Sequence, residues 1–529
     1  MNNKPIAIFC SLLLGTLILS LPLLVNPSLE TRSDAVIHIG ITRAIMREGI
    51  PPSNPFLAGE RLPYYWFYNA LTAVASVTTG ADPGRIMIIL NILAIWIMLL
   101  LVFKITNSFT GTSNNSFLAV GLFVFGLNGW GWLLLLPGIA HNGLSTIPPL
   151  LTSGIWGFLE RIVLTRWEGT MGFMLTKFWV ANSFSLGIVA ATAAVYCLFR
   201  YIHQWRPASL VAFLLLTLIS AHLNIIAGGA LIIICFSFFL LQLALPFGKK
   251  ASDKKPILIG IILLVLIVPI LIPYLRSIMA ETAQIYPVIR FRLPDWFQLR
   301  VLTVILAPLW GLAAITFRRK YDKRTRSYRY FLLLALLILS VGFLFFRFPK
   351  HNEFKLIFLI AIFLSLLIGL NSRLTSRKAA WVVWGILLTT IPTTGLGLIA
   401  YSYSPDEHHI TPDENAIYTW INRNLPADTV LTAEKQSELI PLLADRDAYL
   451  SCYTFLKSTP INRSLISQRR NLIRNLEKQK EIVEVLIEIS RETGRPVSFI
   501  QYSSSLPSES PLMLLHTEGK IEVWGVKLQ

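Results

Sequence analysis

The sequence predicts a polytopic α-helical membrane protein with a small polar α/β domain at its C-terminal end. Three observations carry that expectation. Of 529 residues, 54% are hydrophobic and only 14% charged, with a mean hydropathy of +0.60, which leaves too little polar surface to cover a soluble fold. Apolar runs long enough to cross a bilayer recur along most of the chain, separated by short loops rich in Lys and Arg. After Tyr401 the composition turns polar and stays so.

The formal charge of +18 would point to nucleic acid in a soluble chain. Here the cations sit in loops between apolar runs, where they orient the helices, and nucleic-acid binding is excluded as a function class. Cys10, Cys197 and Cys235 lie in apolar spans and Cys452 stands alone in the polar region, so the spacing builds neither a disulfide framework nor a zinc site.

In chain order, Pro5 to Val25 is apolar over about 20 residues, enough for a ~30 Å hydrocarbon core. No small-x-small cleavage site follows, so the segment reads as an uncleaved anchor. Further runs near 85–106, 116–137, 179–200, 207–222, 223–246, 256–275, 298–317, 330–346, 354–370 and 380–402 bring the expectation to about 11 transmembrane helices. The basic clusters Lys249 to Lys255, Arg318 to Arg329 and Arg373 to Lys378 mark cytoplasmic loops. Counting back from them puts the N-terminus in the cytoplasm, with 26–84, 138–178, 275–297, 347–354 and everything after 402 outside. The scheme closes if Tyr64 to Gly80, apolar but short and headed by Tyr and Trp, lies along the outer surface. The expected division is a transmembrane domain at 1–402, with 26–84 as its first outer loop, and an extracytoplasmic domain at 403–529.

That first loop holds the densest set of unusual residues. Asp34 to about Glu48 has helical periodicity, with Ile37, Ile41, Ala44 and Ile45 on one face, and Gly49 followed by Pro51-Pro52 stops it. Asp34 and His38 are four apart and share a face. Pro51, Pro52, Pro55 and Pro63 then hold the connection extended. An acid just outside a membrane is an expensive placement that invites a functional reading; the competing explanation is an N-cap carboxylate.

The order Asp34, short helix, Gly49-Ile50-Pro51-Pro52, Asn54-Pro55, Gly59, Pro63-Tyr64-Tyr65-Trp66, Gly80 and Arg85 resembles the first outer loop of the GT-C superfamily of membrane glycosyltransferases. It looks most like the bacterial aminoarabinose and mannosyl transferases that take a sugar from a polyprenyl-phosphate carrier. The resemblance implies a GT-C-like fold in the plasma (inner) membrane, a lipid-linked sugar donor and a lipid or glycan acceptor. It also implies a catalytic acid at the position of Asp34. The family often carries paired acids there, whereas this chain has Ser33-Asp34; no cofactor is assigned, and a divalent metal is left open.

The chemistry asks for the same parts. Sugar transfer from a lipid phosphate to a hydroxyl needs a carboxylate to take the acceptor's proton and cations to stabilise the departing phosphate. Asp34 is the expected base, with His38 beside it as an orienting group or a packed histidine. The polar knot Arg347-Phe348-Pro349-Lys350-His351-Asn352-Glu353-Phe354-Lys355 places cations outside, against the positive-inside bias. Lys350 and Lys355, then His351 and Arg347, are the expected phosphate ligands, with headgroup snorkelling as the alternative. Arg61, Tyr64 and Tyr65 of the first loop, and His222 at a tight turn, complete the substrate-binding set.

Weaker signals lie elsewhere. The 138–178 loop mixes Trp156, Glu160, Arg166, Glu168 and Lys177, and Tyr286 to Asp295 form another candidate lid. Isolated acids do not define a metal site. In the C-terminal domain, Thr411-Pro412-Asp413-Glu414 is a capping box, and Ser464 to Glu492 reads as one long helix. Strands are expected near 429–433, 497–502, 512–516 and 521–527. With no phosphate loop or nucleophile elbow there, its expected role is acceptor recognition or a lid. The rival class is a transporter or flippase for lipid-linked glycans, against which stands the lack of an internal repeat pairing two halves of the chain.

Overall fold

The computed structural model describes residues 4–30, 32, 34–152, 154–162, 173–204, 206–244, 255–278, 289–317, 326–348, 352–371, 377–404, 410–457, 459, 461–477, 482–502 and 512–526. The chain forms two compact units, one of residues 1–29, 88–272 and 288–405, the other of 30–87, 273–287 and 406–529.

The first unit is helical. Among the described residues, seven helices are long and apolar enough to cross a membrane: Pro83–Thr110, Ser183–Gln204, Ile225–Ala244, Lys255–Ser277, Arg326–Phe345, Phe354–Asn371 and Trp381–Tyr403. Trp296–Ile305 and Ala307–Thr316 make an eighth span if taken together, bent by 64°. Three shorter apolar helices, Pro5–Leu19, Ser113–Phe125 and Pro207–Leu223, fall where further spans were expected. Two expectations need correction. The run at 116–137 is not one helix, because the first segment ends at Phe125 and the chain turns through 126–130 before short helical pieces resume. The run at 298–317 is interrupted by a π-turn over Val301–Ile305.

Phe354–Asn371 is apolar on every side and buried along its length, as an all-round hydrophobic helix must be. It packs against Arg326–Phe345, Ser113–Phe125 and Ala307–Phe317. Helices further out expose Leu258, Ile262, Val265, Leu266, Leu337 and Leu388, which suits a lipid environment. Where Pro207–Leu223 turns into Ile225–Ala244, a Cβ at Gly228 would lie 2.3 Å from the Ala221 backbone, so only glycine admits this approach. Strands β1 (Arg290–Phe291) and β2 (Phe346–Arg347) form a short antiparallel pair with Arg290 opposite Arg347.

The second unit joins the first loop to the C-terminal domain. Its five-stranded sheet has β3 (Val430–Ala433), β4 (Asp447–Ala448), β5 (Val497–Gln501), β6 (Leu512–Glu518) and β7 (Ile521–Val526) in the order β4-β3-β5-β7-β6. Strands β4, β3 and β5 are parallel, and β7 and β6 add antiparallel. The expected capping box is formed, Thr411 accepting from the Glu414 amide at 3.2 Å and Glu414 from the Thr411 amide at 2.7 Å. In place of one helix over 464–492 there are two, Arg463–Glu477 and Ile482–Thr493, which pack together over Leu476, Ile482, Leu486 and Ile489; residues 478–481 lie outside the described residues.

The helix Asp34–Glu48 runs over the expected residues. A second helix, Phe67–Thr79, ends at Gly80 with φ 70°, a left-handed cap that favours glycine. Between them the chain runs along the free edge of β4. The Ala58 amide donates to Ala448 O, the Ala448 amide to Pro55 O and the Ser451 amide to Phe56 O, each at 2.9 Å. An open strand edge is thereby closed by the first loop. Phe56, Leu57 and Leu62 share a core with Ile41, Ile45, Leu450, Phe455 and Leu456.

A buried ion network fixes the helix to the domain. Arg47 pairs with Asp447, which is fully buried, and with Asp445 at 3.4 Å; Arg495 reaches Asp447 at 2.7 Å. Burial alone would lower the Arg47 pKa, but the carboxylates of Asp447, Glu48 and Asp445 together raise it. Gly40 makes the close approach possible, since a Cβ there would lie 2.9 Å from the Phe56 ring and 3.0 Å from Pro441. Gly40→Val is expected to destabilise this unit by about 1–3 kcal/mol through overpacking, read as a lowered melting temperature of the purified full-length chain in detergent.

Candidate functional site

Asp34 opens the first turn of Asp34–Glu48 with its side chain exposed. One turn on, His38 is 1% exposed and its Nδ1 lies 2.9 Å from Asn69 Oδ1. The Tyr68 ring stands edge-on to the imidazole at 5.1 Å, and Tyr64 lies at 5.9 Å. Tyr64 stacks on Tyr65 at 4.0 Å and meets Phe455 edge-on at 5.2 Å. Desolvation pushes the Tyr64 phenol well above its ordinary pKa, and the charges of Tyr65 and Asp34 add to the shift. The phenol therefore stays protonated, a hydroxyl donor in the field of the Asp34 carboxylate.

This constellation follows from local sequence. Helical spacing sets Asp34 and His38 on one face, and Pro63 leads an aromatic run into the helix Phe67–Thr79, which carries Tyr68 and Asn69. Trp66 packs edge-on to Tyr274 at 5.3 Å, and the Phe67 amide donates to the Tyr274 hydroxyl at 3.4 Å. Asn69, 31 residues from His38, was not foreseen. Its only sequence signal is a buried-type position for an amide within an apolar helix.

Of the remaining expected residues, Arg61 is exposed and bridges Ser53 at the base of the 53–61 turn. The other expected substrate-binding residues belong to the first unit. His222 has Nδ1 2.9 Å from Leu218 O, in the last turn of its own helix. Arg347 is held between two acids, 3.3 Å from Asp295 and 3.7 Å from Glu353, and Glu353 is fully buried and accepts from the Phe348 amide at 3.0 Å. A guanidinium so placed shapes the β1–β2 corner. Lys355 is 8% exposed, with Nζ 5.6 Å from the Phe184 ring centroid; Lys177 stands over Phe354 at 4.6 Å. A buried cation in the first turn of a helix is costly and uncommon. Lys350 and His351, together with Glu168 and Tyr286, lie outside the described residues, as does the Glu160 side chain. Among the described residues no three His, Cys, Asp or Glu side chains converge as metal ligands.

The chain, a helical unit of apolar spans with a separate α/β unit into which the first loop folds, shares its fold with solved structures. Its similarity to ArnT from Cupriavidus metallidurans covers 99% of this chain and 98% of that one. The TM-score is 0.53 at 11% identity for the structure bound to undecaprenyl phosphate and 0.54 at 10% for the apo state. The arabinofuranosyltransferase AftD from Mycobacteria is similar over 100% of this chain and 42% of its own, with a TM-score of 0.57 at 12% identity. No protein-family model and no curated protein sequence matches the chain.

Proposed function

We propose that the protein is a membrane glycosyltransferase that moves a sugar from a polyprenyl-phosphate-linked donor to an acceptor hydroxyl on the extracytoplasmic side of the plasma membrane. The observation that carries this reading is Asp34, an exposed carboxylate on the first turn of a helix whose next turn is fixed by His38, Asn69 and an aromatic wall. The similarity to a structure bound to undecaprenyl phosphate supports the donor class.

In the proposed reaction Asp34 takes the proton of the acceptor hydroxyl as its oxygen bonds to the anomeric carbon. The bond from that carbon to the phosphate oxygen breaks, and its electron pair leaves with the polyprenyl phosphate. Tyr64, held protonated, donates a hydrogen bond near the reacting hydroxyl, and His38 orients the turn that carries the base. The donor phosphate is assigned to Lys355 and Lys350 on their charge. Arg347 is assigned to structure, since two carboxylates already engage it.

Transfer of labelled sugar from a panel of polyprenyl-phosphate and polyprenyl-diphosphate donors by the purified full-length chain tests the reading. Lys355→Ala is expected to weaken donor binding about tenfold or more, the loss of one charge-assisted contact. If no donor is consumed, and the protein instead carries lipid-linked glycans across reconstituted vesicles, the enzyme reading fails and transport replaces it.

A further inference from the structure

The second unit contains a cavity of about 660 Å³ walled on one side by Val36 and Ile37, in the first turn of Asp34–Glu48. Its other walls are the loops that leave the carboxyl ends of β3 and β4, at 433–438 and 450–455. That is where open α/β sheets bind ligands, beside a strand whose two parallel neighbours are reached in opposite directions. Here that strand is β3, with β4 on one side and β5 on the other.

Backbone and side chains of these loops bear the marks of a site. Gln436 and Cys452, both lining residues, adopt left-handed φ of 52° and 46°, a conformation that strains a non-glycine residue and concentrates at ligand sites. Gln436 Oε1 and Ser451 Oγ are buried with no hydrogen-bond partner, and Ser451 as a whole is 2% exposed. Orphaned polar atoms facing a cavity are costly unless a ligand or water completes them. Glu434 and Glu438 add acceptors, Glu434 being held by the Tyr502 amide at 3.0 Å. Opposite them, Tyr453 presents a ring with Arg470 over it at 4.0 Å and Lys457 at 4.3 Å.

The Gln436 amide, the Ser451 hydroxyl, the Glu434 and Glu438 carboxylates, the Lys435 and Arg470 cations and apolar walls in one cavity match a ring bearing several hydroxyls on an apolar frame. We infer that this cavity holds a sugar residue of the acceptor, presenting it beside the turn that carries Asp34; the inference rests on the glycosyltransferase reading above. On this inference the cavity sets acceptor recognition and leaves donor binding to other groups.

The test uses the full-length chain in nanodiscs, with saturation-transfer NMR against glucose, galactose, mannose and N-acetylglucosamine, beside transfer kinetics. At least one sugar is expected to bind, and Ser451→Ala and Gln436→Met are each expected to weaken it about tenfold. Both should raise the acceptor KM while leaving the donor KM and the melting temperature unchanged. Thr432→Val, which removes a buried hydroxyl of β3 that does not line the cavity, should change nothing. Absence of binding by all four sugars overturns the inference, as does binding or acceptor KM that ignores both variants, or a shift in donor KM instead. Sugar binding that responds to the variants in a protein that transfers nothing would keep the cavity and sink the enzyme reading, so the two failures are distinct.

Discussion

Asp34→Asn is expected to cut sugar transfer by about 10²–10⁴-fold, the usual contribution of a positioned general base, with donor binding unchanged. The amide keeps the shape and the capping capacity of the carboxylate but cannot accept a proton at neutral pH. If Asp34 served only as the first residue of its helix, asparagine would replace it with little loss, because the two cap helices almost equally well. The substitution therefore separates base from cap. Single-turnover transfer with bound donor gives the chemical step, and equilibrium binding of polyprenyl phosphate gives the control. Transfer within a factor of three of wild type would remove Asp34 from the mechanism.

Asp447→Ala is expected to destabilise the second unit by about 3–5 kcal/mol, the cost of stranding buried charge. The Asp447 carboxylate is fully buried and answers two guanidiniums, Arg47 from the first loop and Arg495 from the domain. Losing it takes from both cations their buried carboxylate, and the Asp34–Glu48 helix gives up its main polar tie. Hydrogen exchange in the full-length chain should then rise over 34–58 before it rises in β3 and β5. Arg47→Met combined with Asp447→Ala should recover part of the loss by removing a stranded cation, and only part, because in the single variant Arg47 keeps Asp445 and Glu48 as partners. Unchanged exchange over 34–58 in Asp447→Ala would show that the apolar core around Phe56 and Ile45 suffices.

Much of the local structure was legible because local rules govern it. Periodicity and a Gly-Pro-Pro stop bound the helix Asp34–Glu48, and a Thr-Pro-Asp-Glu box starts Pro412–Asn424. The strands of the C-terminal sheet were readable for the same reason, except β4, whose two residues make no alternation to read. The breaks at Phe125 and at Val301–Ile305 were not legible, since apolar residues continue through both and hydropathy does not register a change of direction. The partners of Arg347 were hidden as well: Asp295 lies 52 residues away, and a cation in a loop looks the same whether a phosphate or an acid will meet it.

By itself the sequence determined the membrane class, the number of apolar runs, the position of Asp34 one turn from His38, and the polar domain at the end. Each of these depends on composition or on spacing within a few residues, where backbone geometry leaves little choice. Tertiary structure alone decided that the first loop closes the edge of β4, that Asn69 meets His38, and that Gln436 and Ser451 come to line one cavity with Val36. Those pairings join segments 31 to some 400 residues apart, and they are set by which buried polar and apolar surfaces satisfy one another when the chain is packed.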